Sequence, residues 1–215
     1  MRRVTDPATL DLQTPHGPAR AHLRSVPGAA AVLVLGHGAG GSVTALDLSA
    51  VADVAHLEGI SVALVEQPYR VAGRRSAAPA HQLDAAWIAV VEQLRGELAG
   101  LPVIAGGRSS GARVACRTAQ DVGAVAVLCL AFPLHPPRRS AGAEQKTRLP
   151  ELDAVPVPTL VVQGVRDPFG MPPHAPNRTV VEVDGDHRLR SDVPAVAAAV
   201  ARWLREVAPH QGDGS

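Results

Sequence analysis

Short, mostly apolar runs alternate along this chain with longer stretches in which apolar residues recur at helical spacing. The runs cover residues 29–35, 60–65, 101–105, 125–130 and 159–163. Each has the length of a strand, and 29–35 is the continuous apolar run expected of one buried on both faces. Residues 179–183 predict one more strand, and 10–13 with 20–24 predict a hairpin joined through Pro15-His16-Gly17-Pro18. The spacing predicts helices over 45–57, 81–98, 112–120 and 193–207. In the second of these, Leu83, Ala86, Trp87, Val90, Val91 and Leu94 form one apolar face. Residues 70–80 and 132–157 are irregular and proline-rich, with a short helix expected near 143–148. Strands alternating with helices at these lengths predict the α/β class: a mostly parallel sheet with helices on both faces. Residues 1–207 read as one domain and 208–215 as a flexible polar tail.

Composition narrows the function classes. A chain of 215 residues with 46% apolar content can build a substantial core. Aromatics are only 2%, so Val, Leu, Ala and Ile must supply that core. The formal net charge of +1 offers no reason to expect nucleic acid or a membrane surface as partner. The basic residues are nearly all arginine, with Lys146 the single lysine. Cys116 and Cys129 fall in a helix-like and a strand-like apolar stretch and read as two buried thiols, not a bridge. Residues 1–10 lack the apolar centre of a secretory signal, and no apolar run approaches membrane-spanning length. A cytoplasmic protein is expected.

The chemistry concentrates at Gly107-Arg108-Ser109-Ser110-Gly111, a G-x-S-x-G pattern between a predicted strand and a predicted helix. A serine hydroxyl is a weak nucleophile and needs an unobstructed base. A tight strand-to-helix turn lifts the side chain clear, and flanking glycines leave room for that turn. The Ser110 N–H, at the helix start, then faces the oxygen that becomes negative during acyl transfer. A second loop, Gly36-His37-Gly38-Ala39-Gly40-Gly41, follows the first buried strand. It reads as an oxyanion loop with the Ala39 N–H as donor and Gly40 as the alternative. A dinucleotide loop ranks second, because Glu58 precedes the next strand instead of ending it. A Walker-type phosphate loop lacks its lysine.

A serine nucleophile needs a histidine base and a carboxylate to orient it. His187 follows a predicted strand in Asp184-Gly185-Asp186-His187, and Asp167 follows another in Gly164-Val165-Arg166-Asp167-Pro168. Ser109, Asp167 and His187 thus stand in the chain order such a sheet requires, each just beyond a strand. Asp186 is the reserve carboxylate, although it adjoins His187 and approaches the ring poorly. His37 and His135 read as loop histidines near the site. Arg108 is expected to pair with Glu66 from a neighbouring strand end. Arg138, Arg139, Lys146 and Arg148, in the 132–150 loop, read as a solvated surface in preference to an anion-binding wall.

These residues resemble the α/β-hydrolase superfamily. The elbow, the Gly36–Gly41 loop, Gln163-Gly164-Val165-Arg166-Asp167-Pro168-Phe169-Gly170 and Gly185-Asp186-His187 carry the resemblance, over roughly residues 30–205. Within the superfamily they look like small dienelactone-hydrolase-like proteins, a group with bacterial hydrolases of unknown substrate and a hydrolase-like domain of an animal chromatin-complex subunit. The resemblance implies an α/β-hydrolase fold without a large cap. It implies Ser109 as nucleophile, His187 as base, Asp167 as its orienting acid, and Ala39 and Ser110 as oxyanion donors. Dienelactone hydrolases proper carry cysteine where this chain has Ser109, so dienelactone itself is not implied. The expected activity is hydrolysis of a small acyl substrate (an ester, thioester or lactone) without metal or cofactor. A binding or scaffold protein with an idle site, and acyl transfer by the same residues, are the alternatives.

Overall fold

The structure is a computed structural model and describes residues 8–98, 100–136 and 145–208. Eight strands form one sheet: β1 (Ala8–Leu12), β2 (Ala19–Arg24), β3 (Val32–Gly36), β4 (Ser61–Glu66), β5 (Val103–Arg108), β6 (Ala124–Leu130), β7 (Thr159–Gly164) and β8 (Arg178–Val183). Their order across the sheet is β1-β2-β4-β3-β5-β6-β7-β8. The predicted hairpin is present: β1 and β2 pair antiparallel, and β2 also meets β4 antiparallel. All remaining pairs are parallel.

The helices are α1 (Leu46–Leu57), α2 (Pro68–Val71), α3 (Ala80–Glu97), α4 (Ser110–Thr118), α5 (Leu149–Asp153) and α6 (Val193–Val207). Side chains alternate across the pleat, so each central strand feeds two cores. Val32 and Val34 of β3 join Trp87, Val91 and Leu94 of α3 and Val114 of α4. Leu33 and Leu35 join Leu48 and Val51 of α1 and Val200 and Leu204 of α6. Trp87 is fully buried; with so few aromatics, its truncation would cost about 3–5 kcal/mol.

Three local expectations shift. The short helix expected over 143–148 is α5, which begins after Arg148; residues 145–148 are not helical, and 143–144 lie outside the described residues. Pro150 sits in the first turn of α5, where its missing N–H costs nothing, and the Thr147 hydroxyl accepts the Leu149 N–H. The loop expected over 70–80 is shortened at both ends: a single turn, α2, opened by Pro68, runs through Val71, and α3 begins at Ala80. β5 extends through Gly106 and Gly107 to Arg108, although glycine weakens strands. Pairing on both sides with β3 and β6 holds it there. A Cβ at Gly106 would stand 2.8 Å from the Leu128 carbonyl oxygen, so only glycine fits. Cys116 and Cys129 are free, buried thiols with Sγ atoms 3.4 Å apart. The expected tail lies outside the described residues beyond Ala208.

Candidate active site

The carboxyl ends of β3, β5, β7 and β8 open at one sheet edge, where Gly36 pairs in register with Gly107 and Gly164 with Val183. Open parallel sheets place their sites at this edge. Ser109 follows β5 directly. Its backbone has φ 54° and ψ −107°, a conformation unfavourable for any residue with a side chain. Two hydrogen bonds hold it: its N–H donates to the Leu130 carbonyl at 2.9 Å, and its own carbonyl accepts the Arg113 N–H at 3.2 Å. The glycines of the pattern permit the crossing beneath it. A Cβ on Gly107 would lie 2.6 Å from the Gly36 carbonyl oxygen and 2.7 Å from the Gly111 carbonyl carbon.

Three of the sequence candidates meet. His187 Nε2 lies 2.9 Å from Ser109 Oγ, and His187 Nδ1 lies 2.8 Å from Asp167 Oδ2. Asp167 is almost fully buried while His187 keeps an exposed edge, so the carboxylate is shielded and the imidazole remains reachable. In this arrangement Nδ1–H donates to the carboxylate, leaving Nε2 free to accept the serine proton. Asp186 instead caps its own loop, accepting the Arg188 N–H at 2.8 Å.

The supporting contacts were invisible in the sequence. Gln163, fully buried near the end of β7, shares its two Nε2 hydrogens among three acceptors: Asp167 Oδ2 at 2.8 Å and the Phe132 and Gly170 carbonyls at 3.1 and 2.9 Å. The Phe169 N–H donates to Asp167 Oδ1 at 2.9 Å, and the Phe169 ring meets the His187 ring edge to face, centroids 4.5 Å apart. A Cβ at Gly164 would stand 2.6 Å from the Asp186 carbonyl oxygen, so this glycine lets the His187 loop close over β7.

Arg108 does not pair with Glu66. Glu66 Oε1 contacts His22 Nε2 at 2.7 Å. β3 lies between β4 and β5, so the ends carrying Glu66 and Arg108 are not neighbours. Arg108 instead places Nε 2.8 Å from Asp47 Oδ2 of α1, a buried ion pair in which neither atom makes a well-aligned hydrogen bond. Its Nη2–H donates to the His187 carbonyl at 2.9 Å. Burial pushes the Asp47 carboxyl above the usual range, and the Arg108 charge opposes that shift.

His37 is buried beneath the glycine loop, with Nδ1–H donating to the Gly38 carbonyl at 2.8 Å and Nε2 accepting the Gln67 N–H at 3.2 Å. Both bonds require the neutral ring, and burial lowers its pKa accordingly. The Gly41 N–H also donates to the Gly38 carbonyl, at 2.9 Å. Two donors thus pin the Gly38–Ala39 peptide, and a trans peptide points its N–H away from its carbonyl. A Cβ on Gly38 would stand 3.5 Å from Ser109 Cβ, so this loop passes directly against the serine. Burial raises the pKa of the Tyr69 hydroxyl, and the charge of Arg70 and the Gly40 backbone oppose that rise. His135 bonds the Lys146 carbonyl through Nδ1 at 3.0 Å and is a loop histidine.

A cleft of about 310 Å³ opens beside Ser109, bounded by Ala39, Ser110, Leu83, Pro133, Arg148 and Phe169. Arg148 therefore faces the cleft and is not part of a solvated surface; Lys146 is exposed, and Arg138 and Arg139 lie outside the described residues. Among the described residues, no group of three or more His, Cys, Asp or Glu is placed to hold a metal ion. No described helix is long and apolar enough to cross a membrane.

The sequence pattern of the alpha/beta hydrolase domain family matches residues 29–194. This chain belongs to the alpha/beta hydrolase family. The fold is also that of a serine hydrolase without lid from Xanthomonas campestris, with TM-score 0.75, 20% identity, and 96% of this chain and 97% of the other covered. Est1E from Butyrivibrio proteoclasticus superposes with TM-score 0.73 at 15% identity, over 92% of this chain and 98% of its own. A dienelactone hydrolase from Anabaena variabilis gives 0.72 at 16% identity, over 95% and 100%. No curated protein sequence matches the chain. As in the lidless relative, no large cap covers the sheet edge among the described residues.

Proposed function

We propose that this alpha/beta hydrolase is a serine hydrolase acting on a small carboxylic ester, thioester or lactone. The observation that carries the reading is the continuous hydrogen-bonded chain from Ser109 Oγ through His187 to buried Asp167. His187 Nε2 takes the hydroxyl proton as Oγ attacks the acyl carbon. Asp167 holds the ring and stabilises the imidazolium. The N–H groups of Ala39 and Ser110 stabilise the oxyanion. Ala39 serves in preference to Gly40, because its peptide is pinned by His37 and Gly41. Ser110 is the first residue of α4, and such an N–H has no carbonyl acceptor within its own helix. Protonated His187 then donates to the leaving group, and water attacks the Ser109 ester with the same imidazole as base, regenerating the serine.

Support also comes from the relatives: one neighbour is a lidless serine hydrolase, and Est1E has been seen with bound ferulic acid. The test is intact-mass labelling with a fluorophosphonate. One adduct is expected on the wild type and none on Ser109→Ala or His187→Ala. A folded wild type that resists labelling would sink the hydrolase reading and favour an idle scaffold. Labelling that survives Ser109→Ala would mean another nucleophile.

A further inference from the structure

The cleft beside Ser109 holds a positive charge that no described carboxylate neutralises. Arg113, Arg117 and Arg148 line it, and no described carboxylate does. Arg113 is matched from behind by Glu151, with Nε and Nη2 at 2.9 and 2.6 Å from its oxygens. Arg117 is matched by Asp84 at 2.8 and 2.6 Å, with a longer reach of 3.4 Å to Glu151. Arg148 pairs with no carboxylate among the described residues; its Nη1–H donates to the Pro133 carbonyl at 2.9 Å. Among the described residues, three guanidinium groups therefore stand against two carboxylates, leaving one positive charge at the cleft wall. Burial and the two neighbouring arginines push the Arg148 pKa below the usual arginine range. The ion stays charged regardless, and a bound anion would relieve that repulsion. The rest of the wall is apolar, from Ala78, Leu83, Pro133 and Phe169.

We infer that Arg148 is a specificity-determining residue and that the substrate is a small ester with an apolar body and one carboxylate. The inference rests on Ser109 as the nucleophile of that cleft. A single charge fits better than a phosphate, which carries about −1.5 to −2 at neutral pH. The planar guanidinium fork matches a carboxylate, and only one of the Arg148 nitrogens is committed to Pro133.

The test compares kcat/KM for esters that differ only in charge: 4-acetoxybenzoate against its methyl ester, and mono-4-nitrophenyl adipate against its methyl ester. The anion sits on the leaving group in the first pair and on the acyl part in the second. The wild type is expected to prefer the anion by about 10-fold in at least one pair. Arg148→Met should erase that preference, and Arg148→Lys, which keeps the charge without the fork, should retain part of it. In parallel, calorimetry on Ser109→Ala should show benzoate binding about 10-fold more tightly than benzamide, a difference lost in Ser109→Ala/Arg148→Met. Equal use of neutral and anionic esters, or a preference that survives Arg148→Met, overturns the inference. If no ester is turned over and Ser109 resists labelling, the hydrolase reading fails, and the benzoate–benzamide comparison still decides the anion site.

Discussion

Replacing Arg108 with methionine keeps much of the side-chain length and removes the charge that faces Asp47. The two groups are 15% and 2% exposed, so solvent does little to screen them. Taking one partner from such a buried pair costs about 3–5 kcal/mol, because the other charge is left stranded. Total stabilities run at about 5–15 kcal/mol. At about 2–4 °C per kcal/mol for a chain of this size, the melting midpoint should fall by about 6–20 °C. The pH dependence has a fixed sign. Burial already raises the Asp47 pKa in the fold, and Arg108 is what opposes it. Without Arg108 the folded-state pKa rises further above the unfolded value of about 3.9. The native state then holds the proton more tightly than the unfolded chain does, so stability falls as pH rises through that window. The deficit of Arg108→Met relative to wild type is thus largest at neutral pH and shrinks as pH is lowered toward 4. Urea unfolding of both proteins between pH 4.5 and 8 measures it, and groups common to the two cancel in the difference. Asp47→Leu/Arg108→Met, which strands no charge, should recover most of the loss. A deficit below about 1 kcal/mol, or one unchanged across that pH range, would refute the reasoning.

Four further outcomes are expected. Asp167→Asn should lower kcat by about 10³–10⁴-fold with the fold intact, because the amide cannot hold the imidazole in the required tautomer; steady-state kinetics beside circular dichroism checks this. Gly111→Ala forces its Cβ onto the Gly36 carbonyl and to 2.9 Å from the His37 carbonyl, all backbone atoms that cannot rotate away. It should cost upwards of about 1–3 kcal/mol in thermal unfolding and disable fluorophosphonate labelling. Gln163→Leu takes the donor from the Gly170 carbonyl, removes one of two donors from the Phe132 carbonyl, which keeps the Leu134 N–H, and loosens Asp167; about 1–3 kcal/mol of stability should go, with kcat falling more than KM changes. Native Cys129, whose thiol pKa is pushed well up by the Cys116 thiol beside it and by burial, should resist iodoacetamide at pH 8 and react once the chain is unfolded in urea.

Much of this molecule could be read from the chain. The central strands were legible because burial on both faces demands mostly apolar runs: 29–35 and 125–130 are unbroken, and 60–65 is interrupted only by Ser61. Ser109, Asp167 and His187 were legible through a short-range pattern and an order along the chain, and both survive folding unchanged. What escaped were the contacts that support and surround those three residues. Arg108 found Asp47 because β3 separates β4 from β5. Gln163 looked like the last residue of a strand until the 132 and 167–170 loops closed around its amide. Arg148 read as one charge in a polar loop; its meaning came from Glu151 and Asp84 already being taken by Arg113 and Arg117. Local sequence determines which residue types can serve and roughly where each loop emerges, since hydrophobic period, turn chemistry and chain order act over a few residues. Which charges end up paired, and which remain free to meet a substrate, is decided only when segments distant in the chain are brought within a few ångströms and water is excluded between them.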